Sequence, residues 1–265
     1  MVTGSTEFVR NLLVAASIRV APEVAAAARA SKNLRADSGR LFAQLAKAEF
    51  ESTENQQTVC ADGLAAFDQG HYELAKRAWA TDVVATATFR GDAQPVPLTD
   101  QGLDKLVAIG SAEPGALHLP KPPRSVEQLG TLVALGAFAE LSVVREWMAA
   151  GGSVAAVARP GPRWSALVEF AKASAGELLV PTKFGEAEPG LDIIEDCAEI
   201  SAWVSQLART RKLVIGAFFY APGAKHLAVQ SAADAIIRVA TEQLGPEQLA
   251  LAYMGTPTDS TVVSA

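Results

Sequence analysis

The sequence is short of most residue types that announce chemistry. Its 265 residues include two cysteines, three histidines, three tyrosines and three methionines, and aromatics make up 6%. Cys60 and Cys197 lie far apart with no CxxC spacing, which excludes a disulfide framework. Such sparse cysteine suits a reducing compartment, with the cytoplasm as the expected location. His71, His118 and His226 fall in no HxxxH, HxH or HExxH pattern, so no metal site is read. There is no GxSxG elbow and no GxxxxGK[ST] phosphate loop. No run reaches about 18 uncharged apolar residues, so no membrane-spanning helix is expected. Positive charge is in deficit, 23 basic against 29 acidic side chains for a net charge of -6. That argues against a broad nucleic-acid surface. Acids outnumber bases on both sides of residue 128, so neither half is a basic arm.

What is present is an ordinary globular composition, 49% apolar and 20% charged. An intrinsically disordered chain could not offset its ordering entropy with much less apolar content than this. Two grammars follow each other. Residues 1–128 read as a mainly helical region. Phe8, Leu12, Leu13, Ala16 and Ile18 recur near helical spacing until Pro22 restarts the pattern. Six bases (Arg10, Arg19, Arg29, Lys32, Arg35, Arg40) against three acids in the first forty residues fit either an amphipathic surface helix or a transit peptide. Arg40 to Phe50 is an amphipathic segment with Leu41, Phe42, Leu45 and Phe50 expected near one face. Gly63 to Ala80 reads as two helices joined at Gln69-Gly70. Asp82 to Phe89 alternates with β-branched residues, as a strand would. Pro114, Pro120, Pro122 and Pro123 then make a stiff stretch resembling a linker.

Residues 129–265 alternate short apolar runs with helical segments. The runs are Gly130–Gly136, Ser153–Ala158, Glu177–Val180, Lys212–Tyr220 and Gln248–Met254. Between them, helices are expected over Ala139–Ala150, Trp164–Ser174, Leu191–Arg209 and Lys225–Leu244. This is the pattern of βαβ units. Runs that are apolar throughout, rather than alternating, imply burial on both faces of a parallel sheet. The expected fold class is therefore α/β, with a doubly wound parallel sheet carrying helices on both sides.

In such a sheet, ligands sit beyond the carboxyl ends of the strands, and the first strand-to-helix turn matters most. Here that turn is Gly136-Ala137-Phe138-Ala139-Glu140-Leu141-Ser142. Gly136 stands where a dinucleotide site places its first glycine. The order of elements from Gly130 to Asp259, with this turn, resembles the Rossmann domain of short-chain dehydrogenases/reductases. The resemblance implies a Rossmann-like domain and NAD(P)-dependent redox chemistry on a carbonyl or alcohol, a small-molecule substrate. It places Gly136, Ala137, Phe138 and Leu141 beside the cofactor. Phe138 and Leu141 take the second and third positions of GxGxxG, where glycines would let the backbone approach the pyrophosphate and the helix pack on the strand. A phenylalanine at close approach obstructs phosphates. The same elements therefore fit a non-catalytic Rossmann-like binding or interaction module, which is the competing expectation.

Beyond the second run, Arg159 and Arg163 stand where an acid would hold ribose hydroxyls, which favours NADP over NAD. Tyr220, at the tip of the fourth run, is placed by the resemblance beside the cofactor. Tyr220 and Lys225 are five apart with Pro222-Gly223 between them, unlike the YxxxK spacing that puts both side chains on one helix face. A YxxxK does occur at Tyr72 and Lys76, but ahead of the whole strand series. Its plainer reading is a helical hairpin packed through Leu64, Phe67, Tyr72, Ala75 and Trp79. Catalytic residues are left unassigned. Cys60 and Cys197 are expected to be packed thiols, and the run Glu186, Glu188, Asp192, Glu195, Asp196, Glu199 a solvated helix start. Membrane and nucleic-acid partners are not expected, and a homo-oligomer is compatible with the sequence.

Overall fold

Apolar runs of four to seven residues, bounded by glycine or proline, build the sheet. The structure is a computed structural model and describes residues 5–68, 70–81, 84–97, 108, 125–183 and 188–252. Its strands are β1 (Val84–Arg90), β2 (Thr131–Leu135), β3 (Ser153–Val157), β4 (Glu177–Lys183), β5 (Leu213–Ala217) and β6 (Leu249–Ala252). They form one six-stranded sheet in the order β1-β4-β3-β2-β5-β6. Five strands are parallel, registered by pairs such as Leu132 with Val154 and Val133 with Ile215. β1 closes one edge antiparallel to β4, with Val84 opposite Lys183 and Arg90 opposite Glu177. The fold is thus mixed α/β with a mostly parallel sheet. The sheet also recruits a strand from ahead of residue 128.

The expected burial on both faces is met. Every residue of β2 is buried. Because side chains alternate along a strand, Leu132, Ala134, Val154, Ala156, Leu178 and Val180 share one face. Against it pack α6 (Val144–Ala149), through Val144 and Met148, and α7 (Arg163–Lys172), through Trp164, Leu167 and Ala171. The spacing 164, 167, 171 is one face of a helix. The opposite face, with Val133, Leu135, Ala155, Val157, Leu179 and Ile215, is buried as well. On that side α8 (Cys197–Ala208) contributes Trp203, whose indole N–H donates to Thr86 Oγ1 at 2.8 Å.

The amino ends of the strands are pinned by one carboxylate. Glu177 opens β4 with its side chain buried. It accepts from Arg90 Nε at 2.8 Å and Arg211 Nη1 at 2.7 Å. Burial pushes the Glu177 carboxyl up. The hydrogen bonds from Arg211, Arg90 and Ser153, with the Arg211 charge, more than offset this and hold it below the usual range.

The chain divides into two compact units, residues 1–74 with 220–235, and residues 75–219 with 236–265. In the first, α1 (Ser5–Ser17), α2 (Pro22–Ala30), α3 (Leu34–Glu49) and α4 (Thr53–Phe67) share a core of Leu13, Ala16, Val24, Ala28, Leu34, Leu41, Leu45 and Val59. Asn33 and Ser52 cap α3 and α4 by accepting from Ala36 N and Asn55 N. Arg19 clamps Asp62 with two hydrogen bonds of 2.6 and 2.7 Å, which lower the Asp62 pKa. The segments read as two helices meeting at Gln69-Gly70 are α4 and α5 (His71–Ala78), with residue 69 itself outside the described residues. His71, buried, shares a 3.2 Å hydrogen bond with Ser231 of α9 (Ala224–Gln243).

Four expectations are corrected. Leu41 and Leu45 are buried, but Phe42 and Phe50 are exposed, Phe50 at 77%, because Phe42 lies on the flank of the buried face and Phe50 is the residue that caps the end of α3. Cys60 is exposed on α4, whereas Cys197 is buried as expected. The helix expected from Leu191 begins only at Cys197, because Asp192 Oδ1 draws Ile194 N and Glu195 N into a local turn first. Within that turn Asp196 is buried, not solvated: its carboxylate pairs with Lys183 and accepts from Asp192 N. The prolines from Pro114 to Pro123 and the segment from Gly255 to Asp259 lie outside the described residues. Among the described residues no helix is long and apolar enough to cross a membrane.

Two buried groups, His71 and Glu177, make stability fall in acid. Burial lowers the His71 pKa, with the Asp68 charge opposing it. Its contribution is therefore complete above the unfolded value of about 6.5 and is lost as pH falls through the depressed folded value. Glu177 behaves likewise below about 4.3. The urea midpoint should fall between pH 7.5 and 5.5, and His71→Gln should flatten that slope. Glu177→Ala should cost about 1.5–3 kcal/mol, the worth of hydrogen bonds to a charged group, in urea unfolding at pH 7. An unchanged midpoint would show that the Glu177 clamp does not stabilise the fold.

Candidate functional site

The strand order reverses direction at β2. From it, β3 and β4 lie to one side, and β5 and β6 to the other. The carboxyl end of β2, between β3 and β5, is where an open parallel sheet offers its crevice. The chain leaves β2 by a tight turn. Gly136 adopts a φ of +91°, which a residue with a side chain reaches only under strain. Gly136 N and Ala137 N both donate to Val157 O, at 3.0 and 2.9 Å. Two further closures follow, Ala139 N to Gly136 O and Ser142 N to Ala139 O. Helix α6 therefore starts at Val144 rather than near Ala139, and is only six residues long.

Side chains pack against the same turn. A Cβ on Gly136 would stand 2.6 Å from Phe219 Cδ1, so the ring of Phe219 lies directly beside the turn. Phe138 points elsewhere. Its ring meets Trp164 edge-on, at 5.0 Å between centroids, as part of the packing under α7. Arg163 lies 4.9 Å over the Phe138 ring and donates to the Phe138 carbonyl at 2.9 Å.

The connection from β4 to α8 crosses the carboxyl ends of two strands. Gly190 N donates to Pro181 O and Leu191 N to Ala158 O, both at 2.8 Å. Gly190, at φ +117°, is needed there: a Cβ would sit 2.7 Å from Ala158 O and from Trp164 Nε1. Leu191 is fully buried, and Asp192 Oδ2 comes within 3.8 Å of Arg159 Nε. Trp164 Nε1 donates to the Arg159 carbonyl at 3.0 Å.

Of the residues singled out from sequence, Gly136, Ala137 and Phe138 share one turn, with Ala137 buried beneath it and Leu141 exposed at its tip. Arg159 stands at the end of β3, facing Asp192. Tyr220 belongs to the other compact unit, 86% exposed, with its ring 5.6 Å from that of His226. Tyr72 and Lys76 lie on α5, with the Lys76 side chain exposed. Sequence reasoning missed Phe219 and the crossing at Gly190–Asp192. Their only local signal is a Pro189-Gly190 pair, which marks a turn but not what it covers. Among the described residues no group of three or more His, Cys, Asp or Glu could hold a metal ion.

Beside the turn, opening between it and α7, is a cavity of about 320 Å³. Its walls include Ala137, Phe138, Ser142, Val144, Arg145, Arg163 and Leu167. The chain finds no match among family models, curated proteins or solved structures.

A side chain at Gly136 must adopt a disfavoured φ and displace Phe219. Gly136→Ala should therefore destabilise by about 2–4 kcal/mol, combining a strained backbone with overpacking. Phe219→Ala, by removing the obstructing ring, should recover part of that loss in the double variant. Additive effects in a double-mutant cycle would contradict the contact.

Proposed function

We propose that this chain is a Rossmann-like module that has given up the dinucleotide site and binds a different partner at the carboxyl end of its sheet. The strand order supports the Rossmann-like part. Taken from β2, the parallel strands run 3-2-1-4-5, and Gly136 follows the first of them. One observation carries the rest: Gly190 and Leu191 lie bonded across the ends of β3 and β4, where ribose would rest. Phe219 beside Gly136 and the internally bonded turn amides point the same way. A pyrophosphate needs close backbone approach and amides that face it. In this turn Gly136 N, Ala137 N, Ala139 N and Ser142 N already have carbonyl partners. The residues present therefore do not fit NADP.

The oxidoreductase reading keeps one supporting feature, a glycine at positive φ at the reversal point of the strand order. Titration with NADPH and NADH, followed by thermal shift and nicotinamide fluorescence, separates the two. The module reading expects no saturable response to either nucleotide up to millimolar concentration. It also expects no change with Arg159→Asp, because Arg159 faces Asp192. Saturable stabilisation by NADPH at micromolar concentration, shifted toward NADH by Arg159→Asp, would overturn it in favour of an NADP-dependent oxidoreductase.

A further inference from the structure

We propose that the outer edge of β1 pairs with β1 of a second copy of this chain, antiparallel about a two-fold axis, so that one continuous sheet runs through a homodimer. This pairing is independent of what the carboxyl end of the sheet binds.

The strand register fixes which groups β1 offers. Glu177 N donates to Gly152 O, so the main-chain groups of Glu177 face β3. Successive residues of a strand turn their N–H and C=O groups to opposite edges, so those of Leu178, Val180 and Thr182 face β1. Their partners there are Phe89, Ala87 and Ala85. The N–H and C=O groups of Val84, Thr86, Thr88 and Arg90 therefore point away from the sheet, and among the described residues no strand lies beyond them. The side chains agree with this assignment. Phe89 packs against the layer of α6 and α7, while Thr86 bonds Trp203 on the opposite face.

An open edge is a template for another strand, and proteins blunt it with lysine, proline, a bulge or a cover. β1 has none of the first three. Its register with β4 runs through all seven residues without a bulge, and it holds neither lysine nor proline. Nor is it covered, since Ala85, Thr86, Ala87 and Thr88 are all exposed. Its one charge, Arg90 at the end, is held by Glu177 of the same chain.

A second copy fits what this edge presents. In the antiparallel register that uses the whole strand, Thr86 of each copy faces Thr88 of the other, and Val84 faces Arg90. Ala87 faces its own equivalent on the axis. The outward groups of Val84, Thr86, Thr88 and Arg90 then all find partners, no like charges meet, and threonine lies against threonine, a favourable cross-strand pair. A peptide from a different protein would be selected through pockets for its alternate side chains. The alanines and threonines exposed on β1 are too small to wall such pockets.

Sedimentation equilibrium of the full chain, from micromolar to millimolar concentration, is expected to show a reversible monomer–dimer transition. Thr88→Pro removes an outward N–H while leaving the bonds to β4 in place. Ala87→Lys sets two like charges face to face at the axis. Each should weaken dimerisation at least tenfold, with far-UV circular dichroism confirming that the chain is folded. Because Cys60 is exposed, the register is read in a Cys60→Ser background. There Ala87→Cys should give a disulfide-linked dimer on oxidation with copper–phenanthroline, since residues opposite each other in a non-hydrogen-bonded pair approach closely enough for the bond. Ala85→Cys, which faces Phe89 of the other copy, should not. A chain that stays monomeric to millimolar concentration overturns the inference. A dimer that survives either Thr88→Pro or Ala87→Lys in a folded chain overturns it too, as does cross-linking of Ala85→Cys as readily as Ala87→Cys.

Discussion

The carbonyl of Val157 accepts from both Gly136 N and Ala137 N, and this shared acceptor forces the chain to turn as soon as β2 clears β3. Only a residue tolerant of φ +91° can stand at the first position, which is why a glycine is there. The turn brings the backbone close enough to Phe219 that no Cβ fits between them. It also commits amides that would otherwise face outward. A glycine at this position in a parallel sheet usually opens a space for phosphate. Here the same conformational freedom lets the chain pass close against the ring of Phe219.

The two ends of the sheet are built on different physics. At the amino ends, Glu177 gathers Arg90 and Arg211, tying the edge strand β1 to β4 and to the residue that leads into β5. A buried carboxylate with charged donors is costly to disrupt, because removing one partner leaves the others unsatisfied. At the carboxyl ends, the chain covers itself with backbone hydrogen bonds from Gly190 and Leu191, and the local charges pair among themselves, Lys183 with Asp196 and Arg159 near Asp192.

The architecture was legible because its signals are local. Runs such as Thr131–Leu135 are apolar at every position, end in glycine or proline, and are separated by helical segments, and no tertiary information is needed to read them. Even the edge strand at Val84–Arg90 showed through its β-branched alternation. The site was much less legible. Gly136 could be identified as a turn residue, but its neighbour Phe219 is distant in sequence, and their contact is a product of the β2–β5 register. Arg159 looked free because Asp192 reaches it only through a crossing loop. Phe42 and Phe50 failed for a simpler reason. A helix with apolar residues on more than one face cannot tell its reader which face the core will take, and Leu41 and Leu45 won.

The turn after β2 is closed by its own hydrogen bonds. Amide hydrogen exchange at Gly136, Ala137, Ala139 and Ser142 tests this most directly, measured with and without saturating NADPH. Strong protection of these amides is expected in the protein alone, with exchange rates unchanged by the nucleotide. Amides that exchange freely alone and become protected with NADPH would contradict it, because they would then be donors held open for phosphate.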